Sequence, residues 1–411
     1  MAGSFGGEAL KQGVKMATTI ETRAHVPVSL LLSSAVVTIS FGAIFGLLAD
    51  LQDKLRFSDG WLGAITAAAF AAGFVVQMGF AKYADQGYGQ LMLRFGLVLA
   101  IAGCVAVAFA DNLAVLLAGR VVLGIGEGIF LPAARRVVIL RNPGAVGAAL
   151  GRLGAAQTAG FLLGPPFAAY VASATDLWVP FAALALAMTA MIPIVFRFAV
   201  PGSIHEPHPA VLRALIGNPG VRVGVWIGAG MTVGIGVYDS LWARFLKDLG
   251  ASTKFVGLSL TIFGLPIIFF SGLAGRLADR FGPAKIGALA LLGSAPFVLG
   301  YAFLHNVWII AGLAFFHSAF DAGVVPSSQS QVARSVPEDL VAAGQGLLEG
   351  VGLLVAAISA GVAAPLYGQF GARVVWSGLA LCVVGCALGA TNAQRNVTAK
   401  IASGDGINGW R

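Results

Sequence analysis

The amino-acid sequence predicts an all-α membrane protein with twelve transmembrane helices in two six-helix, pseudo-symmetric halves. Three observations lead to this prediction. The 411-residue chain is 58% hydrophobic and only 11% charged, whereas about a quarter of the residues in ordinary globular chains are charged. Its apolar stretches reach the roughly 20 residues that a spanning helix needs. One charged loop also occurs twice, about half a chain apart.

Twelve apolar stretches separated by short polar loops are the candidate spans. Each is expected to be a helix, because a backbone in lipid must satisfy its own polar groups. The predicted bounds are 27–49, 61–80, 91–110, 113–135, 146–171, 178–198, 222–245, 255–274, 284–304, 307–331, 340–366 and 374–393.

The basic residues predict the orientation of the chain. With both termini inside, 19 Lys and Arg lie on or beside the inner loops and 6 on the outer loops, a bias typical of cytoplasmic loops. We therefore predict a multi-pass protein of the inner (plasma) membrane. Its parts are a cytoplasmic tail at 1–26, a six-helix half at 27–198, a cytoplasmic linker at 199–221, a second half at 222–393 and a cytoplasmic tail at 394–411.

The duplicated loop supplies a register between the two halves. Residues 275–285 read GRLADRFGPAK, and the weaker copy at 81–89 places Asp85 194 residues before Asp279 (279 − 85). The same offset pairs Glu127 with Asp321, and each of these acids is followed five residues later by a proline. Parallel repeats place substrate and ion sites between the halves, near the bilayer midplane.

Ionisable residues within the spans are the candidate transport residues, because an isolated charge at bilayer depth costs roughly 2.5–3.5 kcal/mol and such residues usually face a cavity. Arg120 and Glu127 lie seven residues apart and share a helix face. Burial disfavours the charged form of a carboxylate and a nearby cation favours it, so Glu127 can carry a proton while Arg120 biases its charge. The alternative is a structural ion pair between helices.

Three further residues complete the candidate cavity. His317 and Asp321 are four apart and share a face, which suits a proton relay, although a buried histidine bonded to a neighbouring backbone is an equally common arrangement. Glu349 in the eleventh span is expected to contact a cationic substrate or carry a second proton. Near the outer rim, Asp239 is expected to pair with Arg244, and Asp50 to be solvated.

These motifs resemble those of the major facilitator superfamily over about residues 27–393. The second loop is similar to the family's G-x-L-A-D-R-x-G-x-x-K/R loop, and the first copy departs from it with Ala81 and Gln86. The resemblance implies a cytoplasmic latch that stabilises the outward-open state; the alternative is that the basic loops serve topology alone. The latch residues would be Asp85, Gly275, Arg276, Asp279, Arg280 and Gly282.

Two more motifs carry the resemblance. Arg120 opens an R-x-x-x-G-x-G element associated with proton coupling in the family. In the fifth span, Gly151, Gly160, Gly164 and Pro165 resemble the antiporter signature, although Ala168 and Ala169 replace its final glycines. Within the family this signature implies exchangers, notably drug:proton antiporters.

The sequence therefore predicts a secondary transporter that works by alternating access and exports small amphipathic or cationic compounds in exchange for protons. The alternative is a proton-coupled symporter or uniporter of a small metabolite. A sensor or scaffold without transport is disfavoured because the membrane acids persist. An ATP-driven pump or other enzyme is disfavoured because the sequence has no phosphate-binding loop and no metal cluster.

The expected partners are a small-molecule substrate, protons and the lipid bilayer. Nucleic acid is not expected, because the basic residues lie scattered in short loops rather than on one polar module. We expect no cofactor and a monomer.

Overall fold

The computed structural model describes residues 26–83, 87–142, 146–198, 209–337 and 340–402. These ranges leave out Asp85 and positions 199–208 of the predicted linker. They also leave out both predicted tails, except Val26 and residues 394–402. The described residues form helices and connections without any strand, which confirms the all-α prediction. The helices are α1 Val28–Ala43, α2 Leu48–Leu55, α3 Asp59–Tyr83, α4 Gly89–Ala108, α5 Leu113–Arg141, α6 Val146–Ala174, α7 Val179–Val195, α8 Pro209–Gly217, α9 Pro219–Asp248, α10 Thr253–Phe281, α11 Pro283–Tyr301, α12 Val307–Asp321, α13 Val324–Ala333 and α14 Val341–Ala402.

Within these ranges, nine segments are long and apolar enough to cross a membrane. The last of them belongs to α14, whose 62 residues would measure about 90 Å as one straight helix. Gly371 breaks it with φ 74° and ψ −176°, between the predicted eleventh and twelfth spans. With α6 and the shorter α7 also counted, the helices accommodate twelve crossings, and that number remains a prediction.

Polar side chains begin several of the helices. Asn112 accepts a hydrogen bond from the amide of Val115 at the start of α5, and Asn218 accepts from Gly220 and Val221 at the start of α9. Ser252 and Asn306 cap α10 and α12 in the same way. These caps satisfy amides that lack a partner in the first turn of a helix, so the helix ends are marked by local sequence.

The predicted tenth span is divided into α12 and α13. Asp321 is the last residue of α12, and α13 begins at Val324. Pro326, just after the break, cannot donate an amide hydrogen bond back to the carbonyl four residues earlier. Pro132, its counterpart in the 194-residue register, lies inside an unbroken α5.

The chain packs as two sets of helices, which we name the N-half (α1–α7) and the C-half (α9–α14). The short helices mark the two ends of the molecule. We call the end that carries α2, the end of α9 and the start of α10 the α2 face. We call the end that carries α8, the end of α5 and the start of α14 the α8 face. Short connections make successive long helices run in alternating directions between these faces.

Glycines hold α1 and α6 in backbone contact. A Cβ on Gly164 would lie 2.5 Å from the carbonyl oxygen of Ile39, and one on Gly160 would lie 2.5 Å from that of Ala35. Gly42 of α1 is equally close to α6, since its Cβ would lie 2.6 Å from the Phe161 oxygen. Small residues permit this approach between membrane helices. We refer to Gly42, Gly160 and Gly164 as the glycine seam.

The residues of the antiporter-like motif therefore differ in their surroundings. Gly160, Gly164 and Pro165 contact α1 and its continuation, where a Cβ on Gly46 would meet the Pro165 carbonyl oxygen. Gly151 lies near the α8 face, and a Cβ there would meet no described heavy atom within 4 Å.

Along α6 and α10, the two halves are closest at the α2 face and separate toward the α8 face. Between α6 and α10, a Cβ on Gly257 would lie 2.9 Å from Cβ of Ala169. Nearer the middle, a Cβ on Gly264 would lie 3.9 Å from Cβ of Leu162. A Cβ on Gly272 would have no described heavy atom within 4 Å. The two helices thus diverge in the direction of the α8 face.

The glycine seam predicts that Gly→Ala substitutions at two positions of α6 have opposite effects on thermal stability. Gly164→Ala is expected to lower the melting temperature of the purified protein in detergent, because overpacking costs typically about 1–3 kcal/mol. Gly151→Ala is the matched control. It is expected to leave the melting temperature unchanged or raise it, because alanine favours the helix over glycine by up to about 1 kcal/mol. Equal losses in both variants would contradict the importance of the seam.

Candidate functional site

A central cavity of about 370 Å³ lies between the two halves. Apolar and aromatic side chains from both halves make up most of its wall. The large rings are Phe41, Phe70 and Phe161 of the N-half and Tyr238, Trp242 and Phe263 of the C-half. The ionisable lining residues are Glu127, Arg135, Asp239, His317, Asp321 and Glu349. Four carboxylates and one arginine therefore face a mostly apolar space.

Glu127 is the cavity carboxylate contributed by the N-half. It lies on α5 with Leu131 and Arg135, and the spacing of four residues places all three on one stripe of the helix that lines the cavity. Among the described residues, no hydrogen bond or ion pair reaches the Glu127 carboxylate. Its neighbour Gly128 packs against α3, since a Cβ there would lie 3.0 Å from the Gly73 oxygen. Close helix packing thus fixes the position of Glu127.

Arg120 lies behind the cavity wall and is fully buried. Its Nη1 donates to the Phe41 carbonyl oxygen at 3.0 Å. The guanidinium carbon stands 4.8 Å from the centre of the Phe41 ring and 5.1 Å from that of Phe45. Nε and Nη2 have no hydrogen-bond partner among the described residues.

Arg120 interacts electrostatically with Glu127 without forming an ion pair with it. The two share a face of α5, as the sequence predicts, but seven residues separate them by about 10.5 Å along the axis. The carbonyl and rings of α1 lie closer to the guanidinium. The described residues therefore show no structural ion pair between Arg120 and Glu127, which was the alternative to a role in proton coupling.

His317 and Asp321 form a polar cluster in the C-half. His317 Nε2 lies 3.1 Å from Asp321 Oδ2, as their four-residue spacing predicts. The hydroxyls of Tyr238 and Tyr301 each lie 3.3 Å from Nδ1 on the other side of the ring. Both nitrogens of the nearly buried imidazole therefore have polar partners, and the Asp321 carboxylate is engaged by His317.

Glu349 makes a contact that crosses between the halves. Its Oε2 forms an ion pair with Arg135 of α5 and accepts a hydrogen bond from Gln77 of α3 at 3.3 Å. Arg135 lies about 9 Å and Glu349 about 12 Å from the α8-face ends of their helices. Glu349 therefore lines the predicted cavity, and it also ties the two halves together on the side facing α8.

Asp239 also lines the cavity, which corrects the expectation of a rim pair with Arg244. Five residues turn an α-helix by about 500°, so the two side chains point about 140° apart. Arg244 pairs with Asp248, one turn further on, at 2.9 Å, and with Asp53 at 3.2 Å. The helical spacing of Asp239 in the sequence could have indicated this position, because it shares one stripe of α9 with other cavity-lining residues: Gly228, Thr232, Ile235 and Trp242.

A second polar network joins the halves at the α2 face. Asp50 forms an ion pair with Lys247 at 2.6 Å and accepts a hydrogen bond from Thr253, also at 2.6 Å. At the same face, but within the C-half, Tyr367 donates to Asp248 at 2.7 Å. The Asp50 and Lys247 side chains are only 16% and 18% exposed. The expectation that Asp50 is solvated is therefore wrong, because α2 turns it toward the C-half.

The second copy of the duplicated loop lies at the α8 face. Asp279 pairs with Arg334 at the end of α13, within the C-half, at 2.6 Å. Arg280 stacks over its neighbour Phe281 at 5.1 Å, Gly275 lies opposite Pro326, and Gly282 takes φ 94° between α10 and α11. Arg276 lies one turn before Arg280 in the same helix. Asp85, in the first copy, lies outside the described residues, so a latch between the two copies stays a prediction.

Comparison with known proteins identifies the family and the fold to which the chain is similar. The family model of the Major Facilitator Superfamily matches residues 30–238 and 225–402. The multidrug resistance protein MdtG of Salmonella paratyphi A is 26% identical over 282 residues, which cover 66% of this chain and 69% of that relative. The MdtG protein of Salmonella typhi matches to the same extent.

Solved structures share the fold. A bacterial homolog of the human lysosomal transporter Spinster, in an inward-facing and occupied conformation, has a TM-score of 0.73 at 15% sequence identity. The match covers 90% of this chain and 96% of that one. The nucleoside transporter NupG gives a TM-score of 0.68 at 14% identity, with 89% and 98% covered. The predicted fold of two helical halves is confirmed by these likenesses.

Two ion pairs of equal length are expected to differ in strength. Asp50–Lys247 and Asp279–Arg334 both measure 2.6 Å, but the second pair is 64% and 49% exposed. Exposed pairs are worth about 0–1 kcal/mol, whereas contacting residues can show coupling of about 0.5–3 kcal/mol. In double-variant cycles read by melting temperature, Asp50→Asn with Lys247→Met should be clearly non-additive. Asp279→Asn with Arg334→Met should be close to additive, and the reverse order would refute this ranking.

Proposed function

Since the chain belongs to the Major Facilitator Superfamily and is a multi-pass membrane transporter rather than an enzyme, we propose that it exports small amphipathic or cationic compounds in exchange for protons. Its relatives include a multidrug resistance protein. The antiporter-like spacing of Gly151, Gly160, Gly164 and Pro165 favours exchange over symport. We further propose that it acts as a monomer in the inner membrane, with both termini in the cytoplasm.

The observation that carries this proposal is the charge balance of the cavity. Four carboxylates and a single arginine line a space with mainly apolar and aromatic walls. Ligand pockets of about 300–1,000 Å³ with apolar walls and a few polar groups suit small molecules. An excess of carboxylates favours a positively charged substrate, and the aromatic rings favour one with a large apolar body.

The contacts between the halves support alternating access. In the predicted orientation the α2 face is extracellular, and there the halves are held by the Asp50–Lys247 pair and by close packing of α6 on α10. On the cytoplasmic side α6 and α10 diverge, and the Arg135–Glu349 pair bridges the halves. This arrangement corresponds to an inward-facing state. Rocking of the two halves around the central cavity would break the first set of contacts to open the cavity outward.

Glu127 is our candidate for the coupling carboxylate, supported by its lack of a partner among the described residues and its place on the cavity wall. The available energy is sufficient. A proton that crosses 100 mV yields about 2.3 kcal/mol, and a tenfold concentration step costs about 1.4 kcal/mol. One proton can therefore drive more than tenfold accumulation of a neutral substrate without a pH gradient. One-for-one exchange with a monovalent cation moves no net charge, so a pH gradient or a second proton would drive it.

The test uses proteoliposomes that contain a pH-sensitive dye and are screened with lipophilic cations, neutral amphiphiles and organic anions. A transported substrate is expected to drive protons in the opposite direction, from the compartment that it enters into the compartment that it leaves. Glu127→Gln is expected to abolish this coupled proton movement, because an amide cannot take up the proton. The control is Asp111→Asn, which changes an exposed carboxylate between α4 and α5 and should leave the exchange intact.

Two results would overturn parts of this proposal. Normal proton exchange in the Glu127→Gln protein would remove Glu127 from the coupling step. Protons that move in the same direction as the substrate would favour the symporter alternative, and transport without any proton movement would favour a uniporter.

A further inference from the structure

Asp239 is the cavity carboxylate of the C-half that the described residues leave without a partner. Its Oδ2 is shielded from solvent and accepts no hydrogen bond. The other two C-half acids are engaged, since Asp321 contacts His317 and Glu349 contacts Arg135. A shielded carboxylate oxygen without a donor is costly, and Arg120 interacts with Asp239 electrostatically but donates no hydrogen bond to it. A proton or a bound cation would therefore stabilise this position.

The surroundings of Asp239 favour an organic cation. Tyr238 and Trp242 flank it on α9, their ring centres lie 5.4 Å apart, and Phe263 of α10 stands 5.7 Å from Tyr238. All three rings line the cavity. Aromatic faces attract cations, most strongly in desolvated sites. A carboxylate and three rings that line the same cavity therefore offer both a counter-charge and a desolvated aromatic wall.

The aromatic wall is held rigidly before any substrate binds. Trp242 Nε1 donates to Ser259 Oγ at 3.0 Å, which fixes the indole plane. Behind the wall, the ring centre of Trp376 lies 5.2 Å from that of Tyr238, and Tyr301 lies 5.2 Å from Trp242. Rings that are already oriented lose little freedom on binding, so this wall is preorganised.

We propose that Asp239, Tyr238, Trp242 and Phe263 form a subsite for the charged head of a monovalent lipophilic cation. This subsite deepens the proposed function and rests on it. It separates two roles within one cavity: Asp239 of the C-half receives the substrate cation, and Glu127 of the N-half carries the proton. An anion is disfavoured at this subsite because Arg135 is already paired with Glu349 and Arg120 lies behind the wall.

The test is equilibrium binding to the purified protein in detergent, without a proton gradient. The probes are radiolabelled tetraphenylphosphonium and its uncharged analogue triphenylphosphine oxide. Asp239→Asn is expected to weaken tetraphenylphosphonium binding at least tenfold, while the affinity for triphenylphosphine oxide changes less than twofold. Asp239→Glu should retain most of the cation affinity, and Asp111→Asn should bind both probes like the unaltered protein.

The neutral probe also reports whether the altered protein is folded. Loss of both probes in Asp239→Asn, or cation binding within twofold of the unaltered protein, overturns the subsite. An unaltered protein with no preference for the cation over the neutral analogue also overturns it. Failure of proton exchange in proteoliposomes is a separate result: it would remove the antiport proposal and leave a cation subsite that binds as described.

Discussion

A charged side chain within an apolar bilayer must be given a partner or be neutralised, and the cavity is organised by how each charge meets this requirement. Arg120 is accommodated by a backbone carbonyl and two aromatic rings of α1. Asp321 is held by His317, and Glu349 by Arg135. Glu127 and Asp239 remain without partners in the described part of the chain, one in each half. The proposed transport roles therefore fall on these two carboxylates, because the other charges of the cavity already contact protein groups.

Two kinds of helix contact separate what stays rigid from what can move. Within the N-half, the glycine seam brings the backbones of α1 and α6 together, so relative movement of these two helices would create clashes or voids. Between the halves, side-chain ion pairs at the α2 face and near the α8 face occur beside close packing of α6 on α10 and of α3 on α14. Such polar contacts can be exchanged for water or for other partners. In the proposed alternating access, the seam would move as a unit while these polar contacts between the halves are exchanged.

Much of this arrangement could be predicted from the sequence, because apolar length and the repeated loop depend only on local composition. The all-α class and the cavity positions of Glu127, Asp321 and Glu349 are examples, and the 194-residue register relates two of those acids. The partners of charged residues could not be predicted in this way. Asp50 meets Lys247, and Asp239 meets no partner among the described residues, because of how α2 and α9 face the other helices. Rotation and tilt depend on packing across the whole bundle, which no single span encodes.

The glycine seam has a consequence for how this protein can evolve. The residues that hold α1 against α6 lie mostly outside the set of side chains that line the cavity. Mutations that alter the aromatic wall can therefore change which compounds are accepted while the framework of the N-half stays intact. Mutations in the seam have no such freedom, because any added side chain meets backbone. Natural variants are accordingly expected to diversify in cargo far sooner than in architecture, with the seam as the slowly changing part of the sequence.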